Sequence, residues 1–245
     1  MGARELAVIH CNPGVPWQPV RAAYFAEGFR AIGLPYRITD SSTRLDDGFP
    51  VLLGTTFWRA IENDGGEYLL VDRCSFGDTE RFVSLVWNGH GRRGDHRVPT
   101  EAPASRWEIH GVPVLPWKFG AKTVLCGQME TYSPHWRSLE EWYASVRATH
   151  FRPHPAGENP TGLPIATDFD DCRAALVLNS SVGVAAVLAG TPTITMDEGA
   201  MAWPVTGHTP ADVCTQGREA WCHWLAWTQW ADDEIREGIP WAYHL

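Results

Sequence analysis

The stretch "LAVIHCNPGVPWQPVRAAYFAEGFRAIGLPYRITD", residues 6–40, decides the reading of the chain. "LAVIH" is a short apolar run that ends in the turn "CNPG". Residues 19–32 then carry helical spacing through Val20, Ala23, Tyr24, Ala26 and Phe29, and Gly33 stops them. "YRITD" reads as a second strand. A strand, a helix and a strand in such short order imply a parallel pair joined by a right-handed crossover.

The same rhythm continues outward. "FPVLLGT" reads as a strand, "FWRAIEND" as a helix and "EYLLVDR" as a strand after "DGG", so the first half predicts a small doubly wound sheet with parallel pairing. Residues 83–121 lose the alternation to Gly, Pro and isolated aromatics, which places an inter-domain region near residues 113–121. The rhythm then resumes. "KTVLCGQ" predicts a strand, "SLEEWYASVRA" a helix with Ser138 as N-cap, and "HFRPHP" a strand running into a loop. "ALVLN" and "PTITM" predict two more strands around a helix that opens at Ser180 and Ser181 and closes at Gly190. Expected domains are therefore 1–116, 117–217 and a Trp-rich helical tail over 218–245 that packs across the domains. The fold class expected is α/β, with two small Rossmann-like domains and a cleft between them.

Composition bounds what such a chain does. Of 245 residues, 44% are hydrophobic and 20% charged, which suits a soluble globular protein folded throughout. The net charge of −9 gives no global attraction to nucleic acid or to an anionic membrane. A local basic patch does exist in "NGHGRRGDHR", residues 88–97, where Arg92, Arg93 and Arg97 sit in a Gly-rich loop that also reads as a plain hairpin tip. The 13 Trp read as packing beneath loops, with a minority available to stack on a sugar or a base. Six cysteines occur singly, without a CxxC pair or a secretory leader, and are expected reduced in a cytoplasmic protein. Cys214, Cys222, His223 and His208 fit no zinc spacing, so no metal is expected. Residues 174–196 are apolar enough to suggest a membrane span, but Asn179–Ser181 and the Gly190, Pro192 pair split them.

The polar clusters carry the chemistry. Ser180 and Ser181 fall at the start of a helix, where backbone N–H groups lack partners and the dipole is positive, with Gly183 permitting close approach. Phosphate binding suits that end, and so does simple capping by Ser180. "RPHP", residues 152–155, ends a strand that would finish at the same edge if parallel to "ALVLN", aiming Arg152 and His154 at the same anion. A pyrophosphate leaving a sugar is the anion that fits.

Those motifs resemble the donor-binding half of GT-B glycosyltransferases, particularly capsule-type transferases and bacterial sialyltransferases with an HP motif and a serine motif. "LCGQ", "RPHP", "NSSVGVAAVLAGTP", "MDEGAMAWPVTGH" and "LAWTQWADDEIREGIPWAYHL" together are similar to small glycosyltransferase-like proteins of tailed bacteriophages. The likeness covers residues 122–245 well and the first half more loosely, through "NPGVPW", "VDRCSFGD" and "WNGHGRRG". It implies that Arg152, His154, Ser180 and Ser181 hold the donor phosphate. It also places Asp197 and Glu198 near the ribose or base, under a loop through Met201 and Trp203. The acidic glycine motif that supplies the base in sialyltransferases has no counterpart. Asp72, at the end of "YLLVD", and His10, at the end of the first strand, are the candidate bases, and Asp72 reads equally as a turn cap.

The resemblance further implies transfer of glucose from UDP-glucose to 5-hydroxymethylcytosine in duplex phage DNA. No cofactor beyond that nucleotide sugar and no membrane partner is expected. Arg92, Arg93, Arg97, Lys118 and Lys122 would contact DNA phosphates, and the target base would flip out of the stack. The alternatives are transfer to a surface polysaccharide or glycan, from a CMP- or UDP-sugar, and a non-catalytic nucleotide-sugar-binding module.

Overall fold

The computed structural model describes residues 6–44, 48–128, 139–154, 168–209, 212, 214, 215 and 217–245. Ser138 and Pro155 lie outside the described residues. The chain forms two compact units, Met1–Arg106 with Trp224–Leu245, and Trp107–His223.

In the first unit, β1 (Ala7–His10), β2 (Tyr36–Thr39), β3 (Phe49–Leu53) and β4 (Leu69–Arg73) run parallel in the order β4-β3-β1-β2. Helix α1 (Trp17–Ala31) joins β1 to β2 and ends where Gly33 takes φ +72°. Helix α2 (Trp58–Asn63) joins β3 to β4. Alternation sorts the strand side chains onto two faces. Ala7, Ile9, Val51, Leu53, Leu69 and Val71 pack with Phe25 and Phe29 of α1, whereas Leu52 and Leu70 pack with Trp58 and Ile61 of α2.

Two strands depart from the expected parallel pattern. Strand β5 (Phe82–Trp87), in the region that had lost its rhythm, is buried at every position and pairs antiparallel with β4. A short reversal suffices for an antiparallel neighbour, so no crossover helix announces it. The tail is not wholly helical either. After α3 (Ser105–Glu108), the second unit and α6 (Arg218–Ala226), residues Gln229–Ala231 form β10 and pair antiparallel with β5. Helices α7 (Asp232–Glu237) and α8 (Trp241–His244) follow, and Trp241 stacks on Phe29 with ring centroids 4.6 Å apart.

Several side chains tie this late segment to the early one. Arg106 donates to both carboxylate oxygens of Glu234 (2.7 and 3.0 Å) and to the carbonyls of Ala226 and Gln229, and its guanidinium lies 4.1 Å from the Trp230 ring centroid. Arg21 pairs with Asp232 at 3.0 Å. The Gln229 side chain, fully buried, accepts the backbone N–H groups of Ser75 and Phe76 and donates to the Phe76 carbonyl, so it fixes the loop after β4.

The second unit holds a wholly parallel sheet, order β7-β6-β8-β9, made of β6 (Lys122–Cys126), β7 (His150–Arg152), β8 (Cys172–Val177) and β9 (Thr193–Thr195). Helix α4 (Leu139–Ser145) covers one face through Trp142, against Leu125, Leu176 and Ile194. Helix α5 (Val182–Leu188) covers the other through Ala186, against Val124 and Val177.

Candidate functional site

Because all four strands of the second unit run the same way, the residues that follow them collect at one edge. Gln128 follows β6, Arg152 and His154 close β7, Asn179–Ser181 follow β8, and Asp197 and Glu198 follow β9. Strand β6 lies between β7 and β8, so the arginine and the serines are about 10 Å apart, two strand spacings. The β6–β7 junction is tight. Gly127 donates to the Arg152 carbonyl at 2.7 Å, and a Cβ on it would meet the His154 nitrogen at 3.0 Å.

A chain of side-chain amides bridges the gap. Gln128 donates to Asn179 Oδ1 at 2.6 Å, and Asn179 donates to Asp197 Oδ2 at 3.2 Å. Asp197 is buried, and its Oδ1 accepts the Gly199 N–H at 2.7 Å. That carboxylate therefore orders the edge from within, while Glu198 beside it is exposed. The sequence reading missed Gln128 as a site residue and treated Asn179 as a strand end. A polar residue two positions beyond the end of a strand is the signal both share.

The remaining expected residues occupy distinct settings. Arg152 pairs with Asp168, which keeps its side chain against the edge. His154 is half-buried, and loss of water pushes its pKa below the usual 6.5. The Ser180 hydroxyl accepts the Val182 N–H at 3.3 Å, a local turn, whereas Ser181 is the exposed N-cap residue of α5 and makes no side-chain cap bond. Gly183 faces inward. A Cβ there would touch Ala202, Thr195 and Val177 at 3.6 to 3.7 Å, so its closest neighbours are the sheet and the loop beneath it. Met201 is buried, and its carbonyl accepts the Trp221 indole N–H. Trp203 is half-buried and stacks on His208, with centroids 3.5 Å apart and planes 8° from parallel.

The candidate bases belong to the first unit. Asp72 sits on the α2 face near the end of β4, and its Oδ2 accepts His90 Nε2–H at 3.1 Å, with both side chains about a third exposed. The His90 ring lies over Trp58 at 5.1 Å, and Trp58 in turn donates to Tyr68, whose hydroxyl burial pushes up to about 12. His90 comes from the Gly-rich loop and is a partner that the sequence reading did not assign to Asp72. His10 shares that face but reaches no surface. It is fully buried, donates through Nδ1 to the Ser41 carbonyl at 2.9 Å, and burial pushes its pKa down. By the strand registers, His10 and Asp72 lie about 12 Å apart.

The basic loop is held from below. His96 is buried with Nδ1 facing the Leu85 carbonyl and Nε2 facing the Gly91 carbonyl. Arg97 is spent inside the unit, donating to the His244 carbonyl over the Trp87 ring. Arg93 is exposed and Arg92 half-buried. Lys118 and Lys122 belong to the second unit, at the amino edge of its sheet, where their backbone N–H groups donate to Gly190 and Asp171.

Among the described residues, no group of three or more His, Cys, Asp or Glu is placed to hold a metal ion, and no helix is long and apolar enough to cross a membrane. Five of the cysteines are buried, and burial pushes the Cys126 thiol up to about 12, which leaves it protonated.

No protein-family model and no curated protein sequence matches the chain. Among solved structures it is similar to Thermosulfurimonas dismutans KpsC, a beta Kdo 2,7 transferase, at 12% identity and a TM-score of 0.54, over 97% of this chain and 99% of that one. The sequence identity is low and the coverage nearly complete, so the likeness shows a shared α/β fold along the whole chain.

Proposed function

We propose that the protein is a glycosyltransferase of GT-B type that takes its sugar from a nucleotide donor. The observation that carries this reading is the single edge of the second unit, where Gln128, Arg152, His154, Asn179, Ser180 and Ser181 gather imidazole, guanidinium, amide and hydroxyl groups. Such a row suits an oxyanion, and the carboxyl ends of parallel strands are where ligands of α/β sheets bind. That the structural neighbour is a sugar transferase agrees with it.

In the reaction, an acceptor oxygen forms a bond to the anomeric carbon while the bond to the donor phosphate breaks and its electron pair stays on the nucleotide. Arg152, His154 and the serine hydroxyls stabilise that charge. Within the first unit, His90 is the group suited to take an acceptor proton, since the Asp72 carboxylate orients it and stabilises its cation.

For the acceptor we favour a saccharide hydroxyl. Hydroxymethylated DNA is the second reading, supported by the loop that His96 anchors with Arg92 and Arg93 upon it. That loop offers little on a chain of charge −9, since Arg97 is engaged internally, and phosphate contacts are what give DNA affinity.

The experiment is release of UDP or CMP from a panel of UDP- and CMP-sugars, with buffer, an oligosaccharide mixture or 5-hydroxymethylcytosine duplex as acceptor. Slow release without acceptor, accelerated by saccharides, is the expected outcome. His154→Ala or Ser181→Ala should lose about 2 to 4 kcal/mol of transition-state stabilisation with folding intact. Wild-type turnover in both variants would sink the donor assignment. A hexose mass on the modified base would move the acceptor to DNA.

A further inference from the structure

The first unit has a cavity of about 510 Å³ that the proposed reaction leaves unused, lined by Cys11, Pro13, Pro19, Ala22, Ala23, Ile38, Thr39 and Asp40. It opens at the carboxyl ends of β1 and β2, beside the first turns of α1. It is a wide-open depression with a mostly apolar lining, which suits a ligand held by one face. Strand alternation puts Ile9, Cys11, Ile38 and Asp40 on the α1 side of the sheet, so the wall is continuous with the core while the carboxylate stands at the exposed mouth.

Two features define the ligand. Asp40 is the one charged side chain among the described residues lining the cavity, and it makes no hydrogen bond or ion pair among them. An acid just beyond the second strand of such a sheet is suited to accept ribose hydroxyls, and a carboxylate accepts two O–H groups at once. The phosphate half of a nucleotide site is missing, however. Where that site offers a glycine-rich turn with open amides, this loop and the first turn of α1 carry Pro13, Pro16 and Pro19. Proline has no N–H to give, and the Gln18 amide already donates to the Val15 carbonyl. Among the described lining residues, the one charge an anion would meet is that of Asp40. Pro19, Ala22 and Ala23 are small and leave an apolar floor on which the C–H face of a sugar ring can lie.

We infer that this cavity binds an uncharged ring bearing vicinal hydroxyls, with Asp40 accepting the diol and the α1 alanines supporting the ring. Its role as the outer acceptor subsite rests on the transferase reading; the binding itself does not. Asp40 and Asp72 are three strands apart, about 15 Å, and on opposite faces of the sheet, so a saccharide seated here presents a hydroxyl to His90 only by passing over the carboxyl edge, and only if it is several rings long. The deoxyribose of DNA lacks the diol.

The test is saturation-transfer NMR on the full chain with maltotriose, uridine and 2′-deoxyuridine, repeated with Asp40→Asn and Ala23→Trp. Both positions are exposed, so folding is checked by an unchanged melting temperature. Binding of maltotriose, of uridine or of both, with deoxyuridine silent, is expected, and the two responses tell a saccharide from a ribonucleoside source. Asp40→Asn should weaken binding at least about tenfold, the loss of a hydrogen bond to a charged group, and Ala23→Trp should abolish it. No transfer to any probe, equal response to uridine and deoxyuridine, or binding unchanged in both variants overturns the inference. Donor hydrolysis without acceptor is followed in parallel and should be unchanged in Asp40→Asn. Absence of hydrolysis in the wild-type protein would defeat the transferase reading and leave the pocket result standing.

Discussion

The two units are built from the same strand and helix alternation, yet they hold their polar residues in opposite ways. In the first, charged side chains serve as bolts: Arg106 grips Glu234, Arg21 grips Asp232 and Arg97 grips the His244 carbonyl, all reaching from the early chain to its last residues. In the second, polar side chains form a row along one edge, from Gln128 through Asn179 to Asp197. The contrast follows from closure. A sheet completed by a strand from the other end of the chain needs long-range ties, whereas four consecutive parallel strands complete themselves and leave their carboxyl ends for chemistry.

The largest effect should come from cutting a bolt. Arg106→Ala leaves Glu234 without its guanidinium and exposes the Trp230 face, at a cost of about 3 to 5 kcal/mol for breaking a pair of which Arg106 is 9% and Glu234 17% exposed. Hydrogen exchange read peptide by peptide should show amides of residues 6–106 and 224–245 losing protection while those of the second unit keep theirs. Equal loss in both units would mean that the ties are not specific to the first.

A smaller effect is expected from the second unit's row. Asn179→Ala removes the acceptor of Gln128 and a donor to Asp197, and leaving buried polar groups short of partners costs about 1 to 3 kcal/mol. Weaker UDP or CMP binding by calorimetry, with first-unit exchange unchanged, is the expected result. Undiminished nucleotide binding would make the row purely structural.

Legibility in the sequence follows the same divide. Parallel strands of the second unit announce themselves as apolar runs ending in polar residues, so "ALVLN" followed by two serines located both the strand and its edge. Asp72, at the end of "YLLVD", is singled out by the same pattern. What stayed hidden depends on residues distant in sequence: β10, three residues of "QWA" between two helices, has no pattern of its own and becomes a strand only because β5 offers an edge. His90 likewise becomes Asp72's partner only through the fold-back of the loop, which the backbone bridge between Trp87 and Asp95 fixes. The Gln128–Asn179–Asp197 row needs the order β6-β8-β9, and order is not written in any single segment.

Acid sharpens the comparison further. His10 and His96 are buried in the first unit, and desolvation lowers both below the usual 6.5. Their neutral forms are the folded ones, so the stability they contribute is present above that value. It declines as pH falls below 6.5, because the unfolded chain binds those protons first. Each contributes at most about 1.4 kcal/mol per pH unit through that window. Unfolding by urea at a series of pH values should show the slope, and His96→Gln should flatten it. An unchanged slope would assign the acid response to other groups.

The smallest effect comes from a helix glycine of the second unit, and its counterpart in the first shows why. Gly28 of α1 lies against α7, where a Cβ would fall 2.0 Å from the Ile235 carbonyl oxygen, so Gly28→Ala must push the two helices apart. Gly183 of α5 has room, since an added Cβ would make ordinary contacts of 3.6 to 3.7 Å. Gly183→Ala should therefore be neutral or add about 0.5 to 1 kcal/mol, the gain from replacing a helix glycine. Thermal unfolding measures the stability, and nucleotide binding to the same variant measures something more. If affinity holds, the glycine serves the packing of α5 on its sheet. If affinity falls while stability rises, the methyl acts through the Ala202 loop and the sheet, since that is where its Cβ points.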